Sequence, residues 1–282
     1  MITATDTLKL AHSPDSDDAF MFYALANKKV DTEGLEFTHI LRDIETLNRM
    51  ARDGEVDVTA MSVHAYAYLC DDWALLSSGA SMGERYGPMV VARSAMSRSE
   101  LKKARIAIPG EMTSAYMGLR LAIGDFQFEV MSFDEILDAV ESGRVDAGLV
   151  IHEGQLTYRS QGLVAVLELG KWWFEETSLP LPLGVNAVAR KFPLEVQQSV
   201  DRVLKRSIVY GLEHREEALE YAMRFARGLK PHLADRFVGM YVNHHTVDYG
   251  SDGKEAIRRF LRRGHEEGIL PRLIEPEFVT ED

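Results

Sequence analysis

One local pattern occurs twice in this chain and restricts its fold more than any other feature. Residues 45–64 and 134–152 each contain a helical stretch, the sequence Gly-x-Val-Asp, a short apolar run and a histidine. The glycine is expected to end each helix in the left-handed conformation, and the apolar run is typical of a buried parallel strand. Each histidine then follows the carboxyl end of a strand, where open α/β sheets bind ligands. The repetition predicts two similar α/β halves.

A second repetition indicates how the halves are connected. Residues 87–93 and 184–190 both begin with glycine and continue as extended apolar segments that end in Ala-Arg. The predicted fold class is α/β, with two lobes, two mixed sheets and a cleft between the lobes. Lobe one is expected to comprise residues 1–92 and 184–282, of which the last ~90 residues have helical periodicity. Lobe two is expected to comprise residues 93–183.

The composition favours a small-molecule partner. The 282 residues carry 32 basic and 44 acidic side chains, a formal charge of −12, without a long run of basic residues. A surface for nucleic acid or anionic lipid is therefore not expected. No apolar run approaches the ~18 residues needed to span a bilayer, and the N-terminal residues lack the basic and apolar regions of a signal peptide. We expect a cytoplasmic protein without membrane insertion.

His152 is the candidate catalytic residue. An imidazole with a pKa near 6.5 is suited to remove a proton at neutral pH, and a position at the end of a strand in a cleft would direct it at a bound ligand. A hydrogen-bonded histidine that only closes the strand fits the same pattern. The residues alone leave both roles open.

The segment at residues 109–115 is a candidate anion site. It follows an apolar strand and precedes a helix, so backbone N–H groups at the helix start would lie beside the hydroxyls of Thr113 and Ser114. Gly110 lies in the same turn. The two hydroxyls could instead serve only as helix caps, and both roles can hold together.

Three short motifs, in order along the chain, carry a resemblance. They are Ser13-Pro14 with Asp18 and Phe20, Ile151-His152-Glu153-Gly154, and Leu181-Pro182-Leu183-Gly184. These motifs resemble the 1,4-dihydroxy-6-naphthoate synthases of the futalosine route to menaquinone, and the bilobal plan resembles the type II periplasmic-binding-protein fold. The His-Glu-Gly element is the most specific part. The first loop differs, because the family pattern Ser-Pro-Cys-Pro-Asn-Asp is here Ser-Pro-Asp-Ser-Asp-Asp.

The resemblance implies an activity and a set of contacts. The activity is that of a lyase converting cyclic dehypoxanthinyl futalosine to 1,4-dihydroxy-6-naphthoate, with His152 as general base and with neither metal nor redox cofactor. The substrate is an aromatic carboxylate, whose ring acid would bind at the 109–115 turn. From the residues alone, Asp17 and Asp18 are expected to be helix caps rather than catalysts, although Ser13 and Asp18 keep the family pattern. The implied substrate-binding residues are Thr113, Ser114, Ser62, Ser13, Asp18 and Gly110.

Two other functions stay open from the sequence. A chorismate dehydratase would share the fold, although the His-Glu-Gly element is not expected in that enzyme. A non-catalytic solute-binding protein would use the same cleft without chemistry.

Two further patterns are interpreted as structural. The adjacent His244 and His245 are expected to point to different sides of a helix or strand, and neither belongs to an Asp/Glu-x-x-His pattern, which argues against a metal site. Trp172 and Trp173 are expected to pack between the lobes rather than stack on a substrate.

Overall fold

The computed structural model describes residues 7–226 and 229–279. The strands are β1 (Thr7–His12), β2 (Glu36–Leu41), β3 (Val58–Ser62), β4 (Trp73–Leu75), β5 (Ser81–Gly83), β6 (Met89–Ala92), β7 (Arg105–Ile108), β8 (Gln127–Val130), β9 (Ala147–Val150), β10 (Val164–Glu168) and β11 (Leu181–Ala189). The helices are α1 (Ser16–Met21), α2 (Tyr23–Ala26), α3 (Ile44–Arg52), α4 (Val63–Leu69), α5 (Arg98–Leu101), α6 (Ser114–Ile123), α7 (Ile136–Glu141), α8 (Gly154–Thr157), α9 (Leu169–Thr177), α10 (Leu194–Glu213), α11 (Arg215–Ala222), α12 (Pro231–Tyr241), α13 (His244–Val247) and α14 (Gly250–Glu266), with short 3-10 helices at Tyr158–Gln161 and Met223–Phe225.

The strands form two mixed sheets, as the sequence predicted. The first sheet has the order β2-β1-β3-β11-β4, with β5 also paired to β11. Here β1 runs parallel to β2 and β3, whereas β11 runs antiparallel to β3. The second sheet has the order β10-β6-β9-β7-β8, in which β7 is parallel to β8 and β9 and β6 is antiparallel to β9. The two α/β halves are therefore built on the same plan.

Each repeated unit folds for the local reasons visible in its sequence. In the first, Asp43 caps α3 by accepting a hydrogen bond from the Thr46 backbone, and Gly54 after the helix has a φ of +70°. In the second, Gly143 follows α7 with a φ of +78°. Only glycine adopts this left-handed conformation without steric cost, so the chain turns at both points into a buried strand, β3 or β9.

The two extended segments of the second repetition belong to different sheets. Residues Met89–Ala92 form β6 in the second sheet, whereas β11 lies in the first. A division by sheet would thus separate the halves before residue 89 rather than after residue 92. The lobe boundaries themselves stay a prediction.

The C-terminal helices cover the first sheet and also reach the second half. Apolar side chains of α10 and α12, including Leu204 and Val238, are buried together with Leu10 of β1. Phe260 of α14 packs edge-on against Trp173 of α9. No helix in the described part of the chain is long and apolar enough to cross a membrane.

Candidate active site

A cavity of about 110 Å³ lies between the two sheets. It receives side chains from the first loop and from β3 and β11 of the first sheet, and from the segments after β7 and β9 of the second. Its polar lining residues are Ser13, Asp15, Asp17, Asp18, Ser62, Ser81, Thr113, Ser114, His152, Gln155, Asn186 and Tyr241. The expected cleft is therefore present, and both halves contribute to it.

His152 follows β9 directly and reaches across the cavity to the first loop. Its Nδ1 lies 3.0 Å from Oδ2 of Asp15, whose side chain is 1% exposed. Its Nε2 is buried and has no hydrogen-bond partner among the residues that the structure describes. The residue has a φ of +54°, a left-handed conformation that is uncommon for residues other than glycine. The imidazole and the ring of Phe133 form an edge contact, with 4.7 Å between the ring centroids.

The electrostatics of the site favour a protonated imidazole. Burial alone lowers the pKa of His152, but the charge and hydrogen bond of Asp15, with further contributions from Glu153 and Asp17, raise it overall to about 9. At neutral pH the resting ring is therefore an imidazolium, protonated on both nitrogens and paired with the Asp15 carboxylate.

Two more buried carboxyl groups, Asp17 and Asp18, stand in the first turn of α1. Burial is the main cause that raises the pKa of both, well above the usual range for Asp17 and to about 7 for Asp18. The Ser13 backbone N–H donates to Asp18 at 2.7 Å and works against the rise. Asp15 occupies the N-cap position of α1, so neither Asp17 nor Asp18 is the helix cap. No side chain accepts a capping hydrogen bond at this end of the helix. The first loop and the start of α1 thus carry three buried acids, of which Asp15 pairs with the His152 imidazole.

The turn before α6 has the predicted form, but the hydroxyl groups of Thr113 and Ser114 already donate their protons to backbone carbonyls. Thr113 caps α6 by accepting from the Tyr116 backbone at 3.2 Å, and its hydroxyl donates to the Gly110 carbonyl at 2.8 Å. The Ser114 hydroxyl donates to the Leu183 carbonyl at 2.5 Å. Any anion here would therefore bind the backbone N–H groups of the first turn of α6 rather than these hydroxyls.

Gly110 does not line the cavity. A side chain at this position would collide with the carboxyl group of Glu45, which lies 2.4 Å from where a Cβ would stand. Burial raises the pKa of Glu45, and Arg49 at 3.7 Å lowers it. The glycine is thus explained by close packing between α3 and the turn of the second half.

Ser62 and His64 follow β3 in the first half and have different surroundings. The Ser62 oxygen accepts from the Asn48 amide at 3.2 Å, and within the described ranges its hydroxyl proton has no acceptor. His64 is buried, its backbone N–H donates to the Ser114 hydroxyl at 3.2 Å, and its Nδ1 lies 3.3 Å from the Thr113 carbonyl. Burial lowers the pKa of His64 to about 4. Ser62 is free to donate into the cavity, whereas His64 is a neutral packing residue.

Hydrogen bonds across the cavity hold the two halves together. Ser16 of α1 donates to Glu153 at 3.1 Å, and the Tyr241 phenol of α12 donates to Gln155 at 2.9 Å. The structure thus shows a closed cleft.

Six of the seven residues singled out in the sequence meet at this cavity, and Gly110 stands behind it. Sequence reasoning missed Asp15, Gln155, Asn186 and Tyr241. A buried acid in the first loop was signalled only by the departure from the Ser-Pro-Cys pattern. The other three lie on segments whose local sequence indicates nothing but a helix or strand.

The patterns interpreted as structural lie elsewhere. Trp173 is fully buried and donates to the Pro180 carbonyl at 3.0 Å, and neither tryptophan lines the cavity. His244 and His245 contact each other, with ring centroids 4.0 Å apart. Within residues 7–226 and 229–279 no group of three histidine, cysteine or acidic side chains could hold a metal ion.

Known structures share this architecture. An alkanesulfonate-binding protein from Xanthomonas axonopodis pv. citri, solved with MOPS bound, superposes with a TM-score of 0.70 at 14% identity, over 95% of this chain and 96% of that one. A protein from Archaeoglobus fulgidus has a TM-score of 0.90 at 47% identity, over 95% and 100% of the two chains. The two sheets and the cleft define a periplasmic-binding-protein-like fold.

The sequence relatives identify a narrower group of proteins than the fold does. A family model described as menaquinone biosynthesis matches residues 8–266. Proteins named 1,4-dihydroxy-6-naphthoate synthase from Thermus thermophilus and Streptomyces coelicolor are each 38% identical, over 97% and 96% of this chain and 100% and 97% of their own length. The chain belongs to the menaquinone biosynthesis family and is an enzyme that acts on a small molecule, which confirms the family resemblance.

Proposed function

We propose that this enzyme converts cyclic dehypoxanthinyl futalosine to 1,4-dihydroxy-6-naphthoate, acting as a carbon–carbon lyase with His152 as general base. The observation that carries the proposal is His152, which lines a cavity shared by both halves and whose buried Nε2 has no hydrogen-bond partner among the described residues. A base needs a lone pair within reach of the substrate and shielded from water. The protein's relatives named for this synthase support the substrate class.

His152 is proposed to take a proton from the substrate carbon, after which the bond to the sugar-derived part breaks and the ring becomes aromatic. The gain from aromatisation drives the reaction, so the protein supplies a base, an anion site and exclusion of water, without metal or redox cofactor. Since the pKa of His152 is raised to about 9, the base form becomes more abundant as the pH rises from 7 to 9. The rate is therefore expected to increase over this range.

The ring carboxylate is proposed to bind at the start of α6. The backbone N–H groups of Ser114 and Ala115 belong to the first helical turn, which has no carbonyl partners of its own, and both residues line the cavity. Ser62, whose hydroxyl proton has no acceptor within the described part of the chain, is proposed as a further donor to the substrate. Ser13 and Asp18 line the same cavity and stay predicted contacts.

The test is incubation of the purified protein with cyclic dehypoxanthinyl futalosine and, separately, with the substrate of chorismate dehydratase, with products identified by mass spectrometry. Formation of 1,4-dihydroxy-6-naphthoate in the first reaction alone supports the proposal. Turnover of the second substrate alone would assign the dehydratase activity. Binding of either compound without any product would assign a solute-binding role. A cytoplasmic location stays a prediction.

A further inference from the structure

We propose that Asp15 is the positioning residue for His152: it holds the Nδ1 side of the imidazole, so that Nε2 faces the cavity as the base, and it stabilises the imidazolium formed on proton transfer. The inference deepens the proposed function and rests on it for the identity of the reaction. The pairing itself is a property of the protein that is measured without substrate.

The geometry fixes which ring nitrogen is paired with Asp15 and which one is left without a protein partner in the described structure. Nδ1 of His152 lies 3.0 Å from Oδ2 of Asp15 and is placed to donate its proton to that oxygen. In the neutral ring a proton on Nδ1 leaves the lone pair on Nε2, which is the nitrogen without a partner in the described structure. The edge contact with Phe133 confines the ring from another side. A carboxylate that orients a histidine in this way is a general device for presenting a base.

The acid is itself held in place. The Ser13 hydroxyl donates to the same Oδ2 of Asp15, and the Asp15 side chain is almost completely buried. Asp15 precedes α1 in the first half, whereas His152 follows β9 in the second. Each half thus supplies one member of the pair.

Other charged groups around the imidazole do not replace Asp15. Asp17, Asp18 and Glu153 also interact with His152 electrostatically, but burial favours the protonated forms of Asp17 and Asp18. Glu153 accepts the hydrogen bond from Ser16. Tyr241 of α12, a further titratable group that lines the cavity, donates to Gln155. Asp134, which lines a second pocket together with His152, accepts a hydrogen bond from Ser132 and is exposed. Asp15 is therefore the group whose negative charge directly touches the ring.

The first experiment is an NMR titration of the nine histidines in the full-length protein, with the His152 signal assigned by its loss in His152→Asn. We expect a midpoint near 9 for His152 in the unsubstituted protein and a clearly lower one in Asp15→Asn, since burial is then opposed only by the smaller contributions of Glu153 and Asp17. Asp134→Asn removes a nearby acid that does not touch the ring and is the matched control, with no change in the midpoint. An unchanged midpoint in Asp15→Asn would overturn the proposal.

The second readout is the pH dependence of kcat/KM. In Asp15→Asn the acidic limb is expected to move to lower pH, because the imidazole loses its proton more easily, while the plateau falls about 10- to 100-fold because the base is weaker and less well oriented. A purely structural role for Asp15 would lower the plateau and leave the limb in place, which contradicts the proposal. Should Asp15→Asn fail to fold, a His152 midpoint near 6.5 in the unsubstituted protein would refute the pairing. If the substrate is not turned over, the proposed function fails, but the NMR result still decides the role of Asp15.

Discussion

The carboxyl group of Glu45 in α3 packs on Gly110 in the turn before α6, so closely that a Cβ on Gly110 would lie 2.4 Å from both Cδ and Oε2. The contact joins the first half to the second beside the cavity. Because Glu45 is buried, its carboxyl group cannot move away into solvent without rearranging its neighbours.

Gly110→Ala is expected to lower the free energy of unfolding by about 1–3 kcal/mol, the usual cost of forcing an extra methyl group into a packed site. The control is Gly118→Ala within α6, where the nearest atom to the new Cβ is 3.6 Å away; this change should be neutral or stabilising by up to about 1 kcal/mol. Chemical denaturation measures both. Adding Glu45→Ala to Gly110→Ala should restore part of the loss, and a double variant less stable than the sum of the single changes would argue against this contact.

Thr113→Ala is expected to lower the free energy of unfolding by about 1 kcal/mol through loss of the α6 cap, and also to raise KM for the carboxylate substrate. The second effect follows because the cap positions the N–H groups proposed to bind the anion. Ser97→Ala, which removes the cap of α5 far from the cavity, should cost similar stability and leave KM unchanged. Equal KM values for the two variants would contradict binding of the substrate carboxylate at the start of α6.

His152→Asn is expected to reduce kcat by about 10²- to 10⁴-fold while leaving the fold and substrate binding in place. Asparagine keeps an N–H that can reach Asp15 but cannot accept the substrate proton. The matched control is His214→Asn, which alters a histidine stacked on Tyr210 away from the cavity and should keep full activity. Single-turnover kinetics with circular dichroism of both variants measures the effect. Full turnover in His152→Asn would exclude this residue as the base.

Asp18→Asn is expected to stabilise the protein at pH 8 but not at pH 4. The pKa of Asp18 is raised by burial to about 7 in the folded protein, whereas in the unfolded chain it is near 3.8. The folded state therefore binds the proton more tightly, and this group makes stability fall as the pH rises from about 4 to 7. Each pH unit of separation is worth about 1.4 kcal/mol, so the gain at pH 8 is at most about 4 kcal/mol.

Denaturant unfolding of Asp18→Asn and the unsubstituted protein at pH 4, 6 and 8 tests this expectation. The Ser13 backbone hydrogen bond is kept by the asparagine side-chain oxygen, so the comparison isolates the charge. The raised pKa of His152 acts in the same direction at higher pH, since its stabilising proton is lost as the pH passes about 9. Parallel stability curves for the two proteins would show that Asp18 does not titrate as described.

The sequence by itself determined the repeated local units and the positions of their ends. Gly54 and Gly143 stop their helices because glycine adopts the left-handed conformation there without steric cost, and the short apolar runs that follow leave water as buried strands. These are short-range effects, so the α/β class, the two sheets and the place of His152 after β9 were all predictable.

The tertiary structure alone decided which residues of the two halves contact each other. Asp15 meets His152, Glu45 meets Gly110 and the Ser114 hydroxyl meets the Leu183 carbonyl across the boundary between the halves. No spacing along the chain encodes such contacts, because they depend on how two sheets pack, and burial in that packing sets the protonation of the acids and the imidazole. The position of His152 after β9 thus follows from the local sequence, whereas its hydrogen-bond partner and its pKa follow from the fold.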